Sequence, residues 1–374
     1  MSATVPPIAS QMLSSLEFLH YCRRFKDQLF SFCFASSHHC STLLMDLRVL
    51  HAAGIQQLVI TPDSKELRTN LRVWLEAEEN FELIMCEGSG GFMESILSSV
   101  KQVLAAGRVP VVLVEECRFD KPLPESLCKD VFRISREVNA RKIFFSMDEK
   151  GLTVGGIFRS YPSGDSIRAA VDQGEAMNLS TEFVETLVFE QESTGIDTVL
   201  VEANRGSIFE EVFTHSGSGT LFSFEYSNEL RWAKASDMRE LLAIMAPQIA
   251  DGSLTHVSEE RLLEMISSFM VYTVNAQIVA GAALADYGES SELIKLCTLP
   301  RYQAKGRARA LVEALLETAK GRGQRDVFAL TIHAHVGDFF ERIGFLSVSR
   351  DELPEEWRAG YSLSRPSIAY RYTL

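Results

Sequence analysis

From residue 226 onward the spacing of hydrophobic positions changes several times, and each change marks an element boundary. Ala308, Leu311, Val312, Leu315, Leu316 and Ala319 recur at three- and four-residue steps, the apolar face of a helix over 303–321. A short apolar strand carrying Leu293, Ile294 and Leu296 precedes it, over 292–299. Upstream, Leu230–Ala235 alternates as a strand and Met238–Ile249 is amphipathic. A second helix is predicted over 259–270, and Val271–Thr273 and Gln277–Leu284 form a hairpin over Asn275. Beyond residue 321 come a strand, Val327–Thr331, and a short helix closed by Arg342-Ile343-Gly344-Phe345.

The first 225 residues follow a different rhythm, helices alternating with short strands that are apolar on every position. Ser41–Ala53 reads as a helix capped by Gly54 and followed by the strand Gln57–Thr61. Met93–Ala105 leads into Val109–Val114, and Lys142–Phe145 and Thr198–Val201 are two further strands. Strands buried on both faces predict an α/β domain with a parallel sheet. The chain therefore reads as two domains, 1–225 and 226–374, and its 374 residues suffice for two cores.

Composition narrows the functions. Hydrophobic residues make up 46%, and no apolar run approaches the ~20 residues that cross a bilayer. The start, MSATVPPIASQML, lacks a signal-peptide pattern, and the seven cysteines have no framework spacing; a cytoplasmic protein with reduced thiols is expected. A net charge of −13 argues against a nucleic-acid partner. Glu87–Gly91 is glycine-rich but lacks the following Gly-Lys-Ser/Thr of a phosphate loop. His38-His39-Cys40 has no second pair at ligand spacing, so no metal is expected.

The chemistry concentrates at Gln303-x-x-Gly306-x-Ala308, between a strand and a helix. Small residues there let a ligand approach first-turn N–H groups that lack partners within the helix, and the positive end of the helix dipole suits a pyrophosphate. This pattern resembles the acetyl-CoA loop of the GCN5-related N-acetyltransferases (GNAT), and the element order from 226 to 374 is similar to theirs. The resemblance implies that backbone groups of Cys297, Thr298 and Leu299 meet the pantetheine arm, and that Gln303, Lys305, Gly306, Arg307 and Ala308 hold the pyrophosphate. Cys297 reads as a small buried residue, since no cation adjoins it to lower its pKa.

A second resemblance joins the halves. A helix ending Glu211-Val212-Phe213-Thr214, followed by Gly217-Ser218-Gly219-Thr220, resembles the end of an amino-acid-kinase domain. The earlier strand, FSFCFASSHH, lacks the lysine and glycines of such kinases, so the copy is degenerate and transfers no phosphate. That domain ahead of a GNAT domain is the architecture of the N-acetylglutamate synthases. The tail Phe339–Phe345, Asp351-Glu352-Leu353-Pro354, Tyr361 and Arg365-x-Ser367 is similar to theirs.

The resemblance implies acetyl transfer from acetyl-CoA to the α-amine of L-glutamate, the first step of arginine biosynthesis, in a homo-oligomer. It implies Glu292 as the base, acting through a water, and Thr331 as a candidate proton donor, because Phe340 stands where many GNAT enzymes carry a tyrosine. Arg231, Arg365 and Ser367 are implied for the substrate carboxylates. Glu356 and Trp357 replace an expected arginine, for which Arg358 is the substitute. Two histidines, His333 and His335, lie in a loop longer than expected and read as solvated, with a substrate-side role as the alternative. Glu211, Gly217 and Gly219 are candidates for an L-arginine effector site. Three functions stay open: the synthase, a GNAT enzyme for another amino acid or small amine, and a non-catalytic arginine or acyl-CoA sensor.

Overall fold

The computed structural model describes residues 18–19, 21–34, 37–62, 80–85, 92–114, 125–214, 217–224, 228–360 and 366–374. Residues 21–224 form one compact unit and residues 225–374 another.

The first unit is a seven-stranded sheet with helices between its strands. In chain order it contains β1 (Leu29–Phe34), α1 (Ser37–Ala52), β2 (Gln56–Pro62), β3 (Phe81–Met85), α2 (Phe92–Ala105) and β4 (Val109–Val114). Then follow α3 (Glu125–Glu137), β5 (Lys142–Met147), the short pair β6 (Thr153–Val154) and β7 (Ile157–Phe158), α4 (Gly164–Asp172) and α5 (Thr181–Thr194). Strand β8 (Asp197–Glu202), helix α6 (Ser207–Phe213) and strand β9 (Thr220–Phe222) complete it. The strand order is β3-β4-β2-β1-β5-β8-β9, parallel except for the last pair. Every residue of β1, β4 and β5 is buried, which is why these strands carry no polar alternation. The chain leaves β1 toward β2 on one side and returns with β5 on the other, a topological switch point. There, buried His39 on the first turn of α1 bonds Ser146 Oγ and Asp148 Oδ1, each at 2.9 Å. The glycine-rich Glu87–Gly91 lies outside the described residues.

The second unit begins with β10 (Asn228–Trp232), α7 (Met238–Ala250), α8 (Glu259–Glu264), β11 (Phe269–Val274), β12 (Gln277–Tyr287) and β13 (Ser290–Thr298). It continues with α9 (Arg307–Gly321), β14 (Asp326–Thr331), α10 (Ala334–Ile343), β15 (Leu346–Val348), α11 (Glu355–Gly360) and β16 (Ile368–Thr373). Its sheet runs β10-β11-β12-β13-β14-β16-β15.

Several boundaries differ from the sequence reading, and three of these differences have a clear local reason. The helix predicted over 259–270 stops at Glu264, and after a 3-10 turn Phe269 and Met270 pair with Ala283 and Ala282 of β12. Helix α9 starts at Arg307 and not at 303, because Ala304 (φ 58°) and Gly306 (φ 77°) sit in the left-handed region that a helix excludes. His333 and His335 are not in a loop. His333 is the N-cap of α10, and His335 lies in its first turn. The β11–β12 turn has positive φ at both Asn275 (49°) and Ala276 (64°), as a two-residue hairpin turn requires.

Two hydrophobic clusters cover opposite faces of this sheet. Leu293, Val327 and Ala329 pack with Leu311, Leu315 and Phe340 on one face. On the other, Phe328 packs with Leu353, Trp357 and Ala369.

Candidate active site

The sheet of the second unit opens between its two central strands. Gly281 pairs with Cys297 and Ala283 with Ile294, so Ala282 opposes two residues and β13 carries a bulge. Lys295 takes up the extra length with a φ of 56°. Parallel pairing of β13 with β14 covers only Ser290–Leu293 against Asp326–Ala329. Past that point the strands part, and a cavity of about 830 Å³ occupies the gap. Its lining draws on both faces, Leu293 and Phe340 from one cluster and Tyr287, Leu330 and Trp357 from the other. The cavity therefore passes through the sheet.

Glu292, Gln303, Thr331 and Ser367 all line it. Glu292, half-buried on β13, accepts a hydrogen bond from the Trp357 indole N–H at 3.0 Å and another from the Tyr287 hydroxyl. Burial pushes its carboxyl up to about 7, against the smaller opposing pull of Trp357, Lys295 and Tyr287. A carboxyl so placed changes ionisation near neutrality, the range suited to a general base. Thr331 Oγ1 accepts from the His333 N–H at 3.1 Å, closing the turn from β14 into α10.

On β13, the Leu299 N–H donates to Val279 O at 2.9 Å and is committed to the sheet. The Thr298 carbonyl faces the open side, accepting from Gln303 Nε2 at 3.1 Å and Gln248 Nε2 at 3.4 Å. Of these two groups the Leu299 N–H is held by the sheet, and the Thr298 carbonyl is shared by two side-chain amides. Buried Cys297 has its thiol pushed up to about 12 by desolvation and lies 3.6 Å from Gly281 O. It is no nucleophile at neutral pH.

The 303–308 loop offers its backbone. A Cβ at Gly306 would meet nothing within 4 Å, so the N-terminus of α9 is open to an approaching anion. The Arg307 side chain turns inward; buried, it donates to Tyr302 O at 3.1 Å and lies over the Tyr302 ring at 5.1 Å. It braces the loop, and what it presents outward is its peptide group. Lys305 is exposed beside it.

Arg231 is not among the residues lining the cavity. Its guanidinium makes a two-point pair with buried Asp237, at 2.6 and 3.1 Å, and Asp237 also accepts from the Lys234 N–H. The Arg358 Nε donates to Leu353 O at 3.1 Å. Arg365 lies outside the described residues.

In the first unit, Glu211 and Gly219 are bonded to each other, while the Gly217 N–H donates to Thr214 Oγ1 at 3.2 Å. Buried Glu211 accepts from the N–H groups of Ser218 (2.9 Å) and Gly219 (3.2 Å) through Oε2. Gly219 is required by packing, since a Cβ there would stand 2.0 Å from Leu200 O.

Sequence reasoning missed Trp357, Tyr287, Lys295 and the Ser253–His333 contact. Lys295 Nζ donates to Thr255 O and Oγ1, both at 2.6 Å, and His333 Nε2 lies 3.1 Å from Ser253 Oγ. The segment between α7 and α8 is thus fastened to both parted strands.

Comparison with known proteins agrees with this geometry. Residues 245–357 match the acetyltransferase (GNAT) domain family. The chain is 32% identical over 165 residues to the amino-acid acetyltransferase of Neisseria meningitidis serogroup A, covering 44% of this chain and 37% of that protein. It is 33% identical over 172 residues to the amino-acid acetyltransferase of Pseudomonas aeruginosa strain PAO1, covering 45% and 39%. The matched stretch thus spans under two fifths of each of these relatives. Among solved structures, N-acetylglutamate synthase from Neisseria gonorrhoeae, complexed with coenzyme A and L-arginine, is similar over 96% of this chain and 98% of its own, with a TM-score of 0.57 and 19% identity. That likeness is one of fold.

Proposed function

We propose that this chain, whose second unit is a GNAT domain, is an amino-acid N-acetyltransferase that transfers the acetyl group of acetyl-CoA to the α-amine of L-glutamate. One observation carries the reading: a cavity passes through the sheet at the β13–β14 split and holds a half-buried carboxyl, Glu292, poised near neutrality. Acetyl-CoA supplies an activated thioester and enters from the face of α9 and α10. The first-turn N–H groups of α9 and the open side of Gly306 suit its pyrophosphate, and the Thr298 backbone suits its arm. The amino acid enters from the face of Trp357. Both meet in the gap, so transfer is direct and needs no acyl-enzyme; a Cys297 thiol pushed up to about 12 by burial fits that.

Glu292 takes the ammonium proton, directly or through a water, and frees the amine lone pair. Trp357 and Tyr287 orient the carboxylate. Ser367 lines the cavity, and with Arg365, two residues earlier, it is the proposed clamp for the substrate carboxylates. Thr331 shapes the turn that places His333.

The reading places the chain in arginine biosynthesis, as a cytoplasmic homo-oligomer. L-arginine, present in the gonococcal structure, is the proposed effector of the first unit, at the Gly217–Gly219 turn. The test is an acceptor panel with acetyl-CoA in which released thiol is followed. L-Glutamate should support the fastest release. A faster small amine, or no acceptor-dependent release, would overturn the assignment.

A further inference from the structure

Transfer from a thioester leaves a sulfur that must take a proton, and the cavity wall offers a histidine with a fixed tautomer. His333 lines the cavity together with Glu292. Its Nε2 lies 3.1 Å from Ser253 Oγ, and the Ser253 hydroxyl donates to Asp251 Oδ1. Asp251 also accepts from the Ser253 N–H at 2.8 Å, which holds the turn. A hydroxyl has one proton, and here a carboxylate takes it. Ser253 Oγ can therefore only accept from the ring, so Nε2 carries hydrogen and Nδ1 is the nitrogen that gains and loses a proton.

Two other groups are less suited. Phe340 lines the cavity and packs at a tilt against Phe345 (5.2 Å) and Tyr370 (5.8 Å), but it has no proton to give. The Thr331 hydroxyl accepts from the His333 N–H, a turn-closing role. The charged and titratable groups sharing the cavity are Asp251 and His256 from the α7–α8 segment, Arg261 from α8, Tyr287 from β12, Glu292 and Lys295 from β13, Glu356 from α11, and His335 two residues on. His335 stacks near His333 with ring centroids 5.4 Å apart.

We propose that His333 is the proton donor to the departing sulfur, a role that rests on the acetyl-transfer reading above. The amine nitrogen, left with two hydrogens once Glu292 has taken one proton, forms its bond to the acetyl carbon and loses a second proton to solvent as the carbon–sulfur bond breaks. Glu292 holds the proton taken from the ammonium, and the sulfur takes the proton from His333 Nδ1. Proton exchange through solvent from Glu292 to His333 restores both groups, so no further reactant is needed. The Asp251–Ser253 pair is the positioning device: it orients the ring.

A proton donor acts only while it holds its proton, so the rate should carry a basic limb that depends on His333, kcat falling as pH rises. His333→Gln keeps an N–H for Ser253 Oγ and so keeps the fastening of the loop, but it cannot exchange a proton. Ser253→Ala cuts the fastening and keeps the imidazole.

The expected result is a basic limb in the wild-type kcat profile that is absent in His333→Gln. In that variant kcat should fall by about 100-fold or more while KM for both substrates stays within about twofold. Ser253→Ala should keep the basic limb and lose less than about tenfold in kcat. If coenzyme A binds and His333→Gln keeps the basic limb of the wild type, the role of His333 falls while the transfer reading stands. Equal losses of rate in the two variants would make His333 a fastener only and overturn the proposal. If coenzyme A does not bind the wild type, the transfer reading falls and takes the proposal with it.

Discussion

The Trp357 indole N–H donates to Glu292 Oε2 at 3.0 Å, joining α11 to the middle of β13 across 65 residues of sequence. This bond favours the charged carboxylate, while burial favours the neutral acid and wins, holding the group up at about 7. Trp357→Phe keeps the edge-to-face packing on Phe328 (5.8 Å) and removes only the donor. A neutral or charge-assisted bond of this kind contributes about 0.5–1.5 kcal/mol or somewhat more. The acid side of the pH–rate profile should therefore move to higher pH, with kcat/KM at pH 6 falling roughly three- to tenfold. An unmoved profile would separate the indole from the base.

Glu292 also predicts a stability trade. Its folded-state carboxyl lies above the ordinary value of 4.5, so between pH 4.5 and about 7 the native state holds more proton than the unfolded chain. Stability from this group is thus lost as pH rises through that window. Glu292→Gln should melt with the wild type near pH 4, above it by a growing margin up to about pH 7, and by a constant margin beyond. Melting curves across pH check the sign.

Gly306 adopts a φ of 77°, and a side chain there would stand where the proposed pyrophosphate approaches. Gly306→Val should weaken acetyl-CoA binding by at least about tenfold and cost roughly 1–2 kcal/mol of stability. Calorimetry with acetyl-CoA and a denaturant titration read the two effects apart. Unchanged affinity in a folded variant would remove the loop from the acetyl-CoA site.

Much of the fold is legible in the chain because burial writes its period into the sequence. The all-apolar strands of the first unit and the three- and four-residue steps of α9 are direct records of what each element packs against. Boundaries were lost where a local conformation overrides the period. The apolar run after Glu264 continues a helical pattern, yet Phe269 and Met270 are taken by the sheet. At Ala304 and Gly306, left-handed backbone delays the helix. The site divides the same way. Glu292, Gln303, Thr331 and Ser367 meet because all sit near the parted strands. Trp357 with Glu292 and Ser253 with His333 are partners 65 and 80 residues apart, and nothing local announces them.

Arg231 and Asp237 are six residues apart, and their two-point pair gives Arg231 a structural task. Arg231→Ala and Asp237→Ala should each lower stability by about 1.5–3 kcal/mol, and the double variant should lose little more than either. KM for L-glutamate should stay within about twofold. A selective rise in that KM would return Arg231 to the substrate.

L-Arginine binding to the first unit is testable by thermal shift, since a ligand bound only to the folded state raises the midpoint. The proposed turn is held by Glu211 Oε2, so Glu211→Ala should lower the midpoint and abolish any arginine-dependent rise. A wild-type midpoint unmoved by millimolar arginine would contradict an effector role.

Glu292, in the gap between β13 and β14, is the proposed base that removes a proton from L-glutamate so that its amine can take the acetyl group. The most direct measurement is glutamate-dependent thiol release from acetyl-CoA, followed across pH for the wild type and Glu292→Gln. The wild-type rate should fall as pH drops through about 7, and Glu292→Gln should lose roughly 100-fold or more with acetyl-CoA affinity intact. A Glu292→Gln enzyme that keeps both its rate and its acid limb would contradict the account.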